Sequence, residues 1–202
     1  MKKIEDHKDL KQKIVLLRVD LNVPIKNNKI IDDNRIVKVL PMIKYLNGKV
    51  SKIIIISHIG RPKGKINSNL SLAPICNYLI KELNTEISLI EKNINKLDKK
   101  YILENFSEKI LILENVRFYP EEEENNLEFS KKLASLGDIY VNDAFSCSHR
   151  KHSSISGITK FVPSYAGLHM IKEINALSQI TKNIKKPVSC IIGGSKISTK
   201  IN

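Results

Sequence analysis

The apolar residues of this chain fall into short unbroken runs separated by stretches with helical spacing. Ile14-Val15-Leu16-Leu17-Arg18-Val19 runs without alternation and ends at Asp20. Ile53 to Ile56, Ile87 to Ile90, Ile110 to Leu113, Asp138 to Asn142 and Val188 to Ile192 read as further strands. Strands that are apolar on both faces belong to a parallel sheet covered on both sides. Between them lie amphipathic segments. Arg35 to Leu46 places Ile36, Val39, Leu40 and Ile43 on one face, and Pro41 inside it predicts a kink or a restart. Leu72 to Leu83 reads as a helix with Pro74 in its first turn, and Asn126 to Leu136 as one ended by Gly137. Ile171 to Ile184 reads as a long amphipathic helix. This alternation predicts an α/β fold, a Rossmann-like parallel sheet with helices on both faces.

The beat also divides the chain. Pro163 to Gly167 reads as a link, and the long helix after it as a connector. From Val188 a strand, a Gly-bearing loop and the start of a helix begin a second, incomplete α/β unit too small to bury a core of its own. The expected organisation is a domain over residues 1–166, an interdomain helix over 167–186 and the start of a second domain over 187–202.

Open parallel sheets bind ligands outside the carboxyl ends of their strands. Here those ends carry Asp20-Leu21-Asn22, Ser57-His58-Ile59-Gly60-Arg61-Pro62, Glu114-Asn115-Val116-Arg117 and Asn142-Asp143-Ala144-Phe145, the last leading to His149-Arg150. The formal charge of +13 says less, because Lys is abundant everywhere and serves solubility and steering. The arginines say more. Of 34 basic residues only Arg18, Arg35, Arg61, Arg117 and Arg150 are Arg. A guanidinium grips a carboxylate or phosphate through a planar fork that an ammonium lacks. Arg18 is read as the exception, pairing with an acid inside the fold. Glu121 to Glu124 reads as a solvated acidic stretch. His149 and His152 lack a third ligand nearby, so no metal site is expected. Three widely spaced cysteines, no apolar leader and no long apolar span fit a reducing, cytoplasmic setting.

Seven blocks carry a family resemblance. Arg18-Val19-Asp20-Leu21-Asn22-Val23-Pro24, Asp33-Asn34-Arg35-Ile36, the His58 and Arg117 loops, Asn142 to Phe145, His149-Arg150-Lys151-His152-Ser153-Ser154 and Gly193-Gly194-Ser195-Lys196-Ile197-Ser198-Thr199-Lys200 resemble, in order, the blocks of phosphoglycerate kinases. The resemblance implies two α/β domains across a cleft, the first binding 3-phosphoglycerate or 1,3-bisphosphoglycerate and the second ADP or ATP with Mg²⁺. It places Asp20, Leu21 and Asn22 at the substrate's hydroxyl and carboxyl end. His58, Ile59, Gly60 and Arg61 would lie at its stable phosphate or carboxyl region, with Arg117 and Arg150 completing the basic patch. Arg35 and Lys196 would be catalytic, beside the phosphoryl group in transit, and Lys196 and Lys200 would touch the nucleotide.

The family's Gly-rich Gly-Gly-Gly-Asp-Thr-type loop has no counterpart here, so the 202 residues alone are expected to bind substrate without turnover. A full-length protein is expected to be a monomer, with no nucleic-acid or membrane partner. Two other readings compete, a non-catalytic anion-binding fragment and a basic nucleic-acid-binding module. The absence of Trp and an aromatic content of 5% weigh against the second.

Overall fold

A computed structural model describes residues 1–182 together with 184, 187, 189 and 191. The elements follow in chain order as β1 (Ile14–Arg18), β2 (Ile25–Lys26), β3 (Lys29–Ile30), α1 (Asn34–Asn47), β4 (Lys52–Ile56), α2 (Ala73–Leu83) and β5 (Ile87–Ile90). Then come α3 (Lys99–Asn105), β6 (Ile110–Leu113), α4 (Pro120–Glu123), α5 (Leu127–Ala134), β7 (Ile139–Asn142), β8 (Ser164–Ala166) and α6 (Leu168–Lys182). Met1–Ile171 forms one compact unit, and residues from Lys172 onward belong to a second. The expected strand at Val188 to Ile192, and Lys196 and Lys200, lie outside or largely outside the described residues.

Six strands form one sheet in the order β5-β6-β4-β1-β7-β8, and every pairing is parallel. Side chains alternate across a strand, so each unbroken apolar run feeds two cores. Val15, Leu17, Ile53, Ile55, Ile110 and Ile112 pack with Ile36, Val39 and Ile43 of α1 and Ile75 and Leu79 of α2. Leu16, Ile54, Ile56, Leu111 and Tyr140 face the other way, onto Ile102 of α3 and Phe129 and Leu133 of α5. This confirms the expected α/β sandwich. From β1 the chain steps first to β4 and later to β7 on the opposite side, so the order reverses at β1. A crevice at such a reversal is where doubly wound sheets take ligands.

Two local expectations need correction, and one element is added. Pro41 does not restart α1, which is continuous from Asn34 to Asn47. Pro41 is exposed, as is Val37 one turn before it, so the carbonyl that loses its partner lies on the solvent face. The segment from Pro163 to Gly167 is not merely a link. Its Ser164–Ala166 pairs with β7 as the sixth strand, too short to register as an apolar run. The loop before α1 contains a hairpin, β2–β3, whose Asn27 and Asn28 both take positive φ as a two-residue turn of this type requires.

Gly137 follows α5 without a left-handed conformation. It is required by space, because an added Cβ would lie 2.5 Å from Leu16 Cγ and 3.0 Å from the Ile14 carbonyl oxygen. Gly137→Ala should therefore cost about 1–3 kcal/mol through overpacking against β1. Urea unfolding checks this, and an unchanged midpoint would show that β1 yields freely.

Candidate anion site at the carboxyl ends of the strands

Four loops meet beyond the ends of β1, β4, β6 and β7, and the backbone of Gly60 ties three of them. The Gly60 N–H donates to Asn22 Oδ1 at 2.9 Å, and the Gly60 carbonyl accepts from Arg117 Nη1 at 2.8 Å. Gly60 has φ +63°, and a Cβ there would lie 2.7 Å from Leu70 Cδ2, so both conformation and space require glycine. Asn115 is fully buried and donates to the carbonyls of Ile59 and Leu70. Glu114 accepts from the Leu72 N–H, the Asn115 N–H and the Ser71 hydroxyl. Glu114 and Asn115 thus staple the loops together. Leu21 and Ile59 belong to the core, and the Leu21 amide donates to Ser57 Oγ.

Asp20 is nearly buried yet holds several partners. One carboxylate oxygen accepts from the Asn22 N–H at 3.1 Å. The other accepts from Arg35 Nη1 at 2.7 Å and from the Ser146 hydroxyl. Arg35 stands in the first turn of α1 with its side chain half exposed. This spends one of its donors on Asp20, while half of the side chain stays exposed.

Three of the other arginines, Arg18, Arg117 and Arg150, gather around His58. Arg18 is 1% exposed. Its Nε donates to Ser154 Oγ at 3.0 Å, its Nη1 to the Val19 carbonyl, and its Nη2 lies 3.1 Å from His58 Nδ1. Ser154 in turn donates its hydroxyl to Glu122 Oε1 at 2.6 Å and its N–H to Oε2 at 2.8 Å. Arg18 therefore does answer to an internal acid, through one serine. That acid comes from the stretch read as solvated. Glu122 is 0% exposed, and Glu123 lies 3.4 Å from Arg117 Nε. The charge run hid both, because nothing in Glu121 to Glu124 marks which carboxylate turns inward. Ser146, Ser154 and His152 were missed as site-forming residues, although His152 and Ser154 stand in a block already singled out.

The clustered arginines shift the ionisation of their neighbours. Burial, then Arg18, Arg117, Arg150 and His152, hold the His58 imidazole far below its ordinary value, so it is neutral. Burial and Arg117 push His152 down to about 4, against an opposing pull from Glu123. His152 Nδ1 lies 3.7 Å from Glu122 Oε1. With the imidazole neutral near pH 7, that approach is a polar contact rather than an ion pair. Burial and the neighbouring Arg150 also lower Arg117, with Glu123 working the other way. Burial raises Glu122, opposed by Arg18 and the Ser154 hydrogen bonds. Arg150 joins this cluster electrostatically, whereas Arg61 is exposed one residue beyond Gly60.

Among the described residues, Asp20, His58 and Cys147 bring one ligand atom each within 4.8 Å of one another. A thiol and an imidazole do not suit Mg²⁺, which takes oxygen ligands, and the Asp20 oxygens are already engaged. What gathers at this sheet edge is instead guanidinium groups, an imidazole held neutral and ordered amides, groups whose chemistry suits an anion. No helix among the described residues is long and apolar enough to cross a membrane.

A parallel sheet with basic groups at its order reversal has the architecture of α/β domains that bind small ligands. The family model for phosphoglycerate kinase matches residues 4–202. Phosphoglycerate kinases of Wolbachia pipientis from Culex pipiens and of Wolbachia from Brugia malayi are 51% and 50% identical, each over 96% of this chain and 48% of their own length. The solved phosphoglycerate kinase of Coxiella burnetii superposes with a TM-score of 0.85 at 40% identity, over 98% of this chain and 50% of that one. The chain belongs to the phosphoglycerate kinase family and spans about half the length of these relatives.

The buried histidines set a pH dependence. A base whose folded pKa is depressed favours folding while neutral. Its contribution is complete above the ordinary value of about 6.5 and is lost as pH falls toward the folded value. For His152 that window runs from about 6.5 down to about 4. Glu122, raised by burial, acts in the opposite sense. Urea midpoints should fall from pH 7.5 to 5, and fall less in His152→Asn. Identical slopes in the two proteins would show that His152 is not held neutral.

Proposed function

We propose that this chain supplies the phosphoglycerate-binding half of a phosphoglycerate kinase, which moves a phosphoryl group reversibly between 1,3-bisphosphoglycerate and ADP. The observation that carries the reading is the convergence of Arg18, Arg117 and Arg150 on a neutral His58 at the carboxyl edge of the sheet. Residues 1–166 form the substrate domain in this reading, residues 167–186 the interdomain helix, and residues 187–202 the start of the nucleotide domain. Asp20 and Asn22 meet the hydroxyl and carboxyl end of 3-phosphoglycerate. His58 and Arg61, with the backbone of Leu21, Ile59 and Gly60 fixing their loops, meet its stable phosphate or carboxyl region. Arg117 and Arg150 complete the patch.

The acceptor in the reverse direction is a carboxylate, ionised at neutral pH because its pKa is about 3.5–4. No general base is needed, and catalysis reduces to positioning and charge stabilisation. Arg35 suits that task. It anchors on Asp20 through one nitrogen and stays half exposed. A cation at a helix start is also poorly placed for the helix dipole, which favours negative charge there. In this reading Arg35 faces the phosphoryl group from the substrate side, while Lys196 and Lys200 approach from the nucleotide side. Mg²⁺ bound to the nucleotide would neutralise phosphate charge there. Closure of the two halves expels water around the transfer. The setting is cytoplasmic and the whole enzyme a monomer. Assayed alone, the 202 residues bind the acid without turning it over.

Titration of the chain with 3-phosphoglycerate, followed by NMR, tests the reading. Shifts should concentrate at Arg35, His58, Arg61, Arg117 and Arg150. Arg61→Lys or Arg150→Lys should weaken binding by about 1–3 kcal/mol, the scale of a charge-assisted hydrogen bond, because the fork is lost and the charge kept. Shifts spread over the lysine-rich surface, with the Lys variants unaffected, would reduce the site to unspecific anion attraction.

A further inference from the structure

Arg18 reaches both a buried acid and the histidine of the site, and its hydrogen bonds run in one direction. Glu122 accepts twice from Ser154, Ser154 Oγ accepts from Arg18 Nε, and Arg18 Nη2 lies 3.1 Å from His58 Nδ1. Tyr140, fully buried, donates its hydroxyl to the Ser154 carbonyl at 2.7 Å and fixes the serine from behind. A guanidinium carries only donors. At hydrogen-bond distance from it, His58 Nδ1 must present a lone pair. The single proton of a neutral imidazole then resides on Nε2. We propose that Arg18, held by Ser154 and Glu122, is a positioning residue that locks His58 in the Nε2–H tautomer. The ring thereby offers the substrate's anionic oxygen a neutral N–H donor.

The consequence is chemical. In the opposite tautomer Nε2 would turn a lone pair toward an anion and repel it. In the imidazolium the ring would confront Arg18 with a second N–H and two like charges. A neutral donor avoids both. It also avoids another cation in a cluster where Arg18, Arg117 and Arg150 already face the ring, together with His152. The Asp20 carboxylate and the Cys147 thiol also lie close, with ligand atoms of all three residues within 4.8 Å of one another. The role of the tautomer toward substrate rests on the phosphoglycerate reading above. The tautomer itself does not.

The test therefore has two separable arms. In the ligand-free chain, ¹⁵N NMR of His58 should show an unprotonated Nδ1 and a protonated Nε2, unchanged from pH 8 to about 5, well past the ordinary imidazole value. Arg18→Met alone strands Glu122 in the core and risks unfolding, so it is paired with Glu122→Gln. In that double variant His58 should begin to protonate at a higher pH than in the unmodified chain. An Nδ1–H ring or an imidazolium in the unmodified chain overturns the proposal. So does a double variant with an unaltered nitrogen pattern and titration. In the second arm, 3-phosphoglycerate affinity is measured for His58→Gln and His58→Asn. The Gln amide reaches the Nε2 position and the Asn amide only the Nδ1 position. Asn should weaken binding about 10-fold more than Gln, the loss of one hydrogen bond to a charged group. The reverse order overturns the donor role. Failure of the unmodified chain to bind 3-phosphoglycerate at all removes the functional reading while leaving the first arm decisive for the tautomer.

Discussion

A permanent cation is buried at the end of the central strand, and the site is organised around it. Arg18 is 1% exposed and lies between Ile56 of β4 and Asn142 of β7 in the sheet register. Removing a charge from water costs several kcal/mol even after relaxation, and only charge pairing with full hydrogen bonding offsets it. Here Ser154, the Val19 carbonyl and His58 take the donors, and Glu122 supplies the opposite charge behind the serine. The arrangement draws α4 and the segment after β7 toward the end of β1. It therefore couples loops that are more than a hundred residues apart in sequence.

The rest of the edge is assembled beside that anchor. With Arg18 turned inward, its field acts on His58, His152, Arg117 and Glu122. The histidines stay neutral and the outward-facing arginines keep the charge that meets solvent. Gly60 and Asn115 then fix the loops at backbone level, through bonds to Asn22, Arg117, Ile59 and Leu70. In the proposed phosphoryl-transfer role, loops fixed on a sheet would serve a site without a general base, whose tools are position and charge.

Much of this was legible in the sequence, for physical reasons. Unbroken runs such as Ile53 to Ile56 betray a sheet buried on both faces, and the strand-end rule then points to the loops that do converge. Scarce arginines in a lysine-rich chain mark Arg35, Arg61, Arg117 and Arg150, of which Arg117 and Arg150 lie by His58, Arg35 by Asp20 and Arg61 stays exposed, while Arg18 turns inward. What escaped was whatever depends on three-dimensional partnership. Glu122 differs from Glu124 only in where α4 turns it. β8 is three residues long and carries one apolar stripe too short to count. Pro41 sits on the solvent face of α1, where water can take the carbonyl it leaves without a partner, a placement that residue propensity does not reveal. Lys196 and Lys200 fall beyond the described residues, so their expected roles belong to the proposal alone.

The central claim is that Arg18 and Glu122 act as one buried unit through Ser154. A double-mutant cycle on unfolding free energy, with Arg18→Met, Glu122→Gln and the two combined, measures this most directly. Each single change should leave a buried charge without its counterpart and cost about 3 kcal/mol or more. The combined change should cost at least about 1 kcal/mol less than the two losses added. Losses that add to within about 0.5 kcal/mol would contradict the account, since independent sites behave that way.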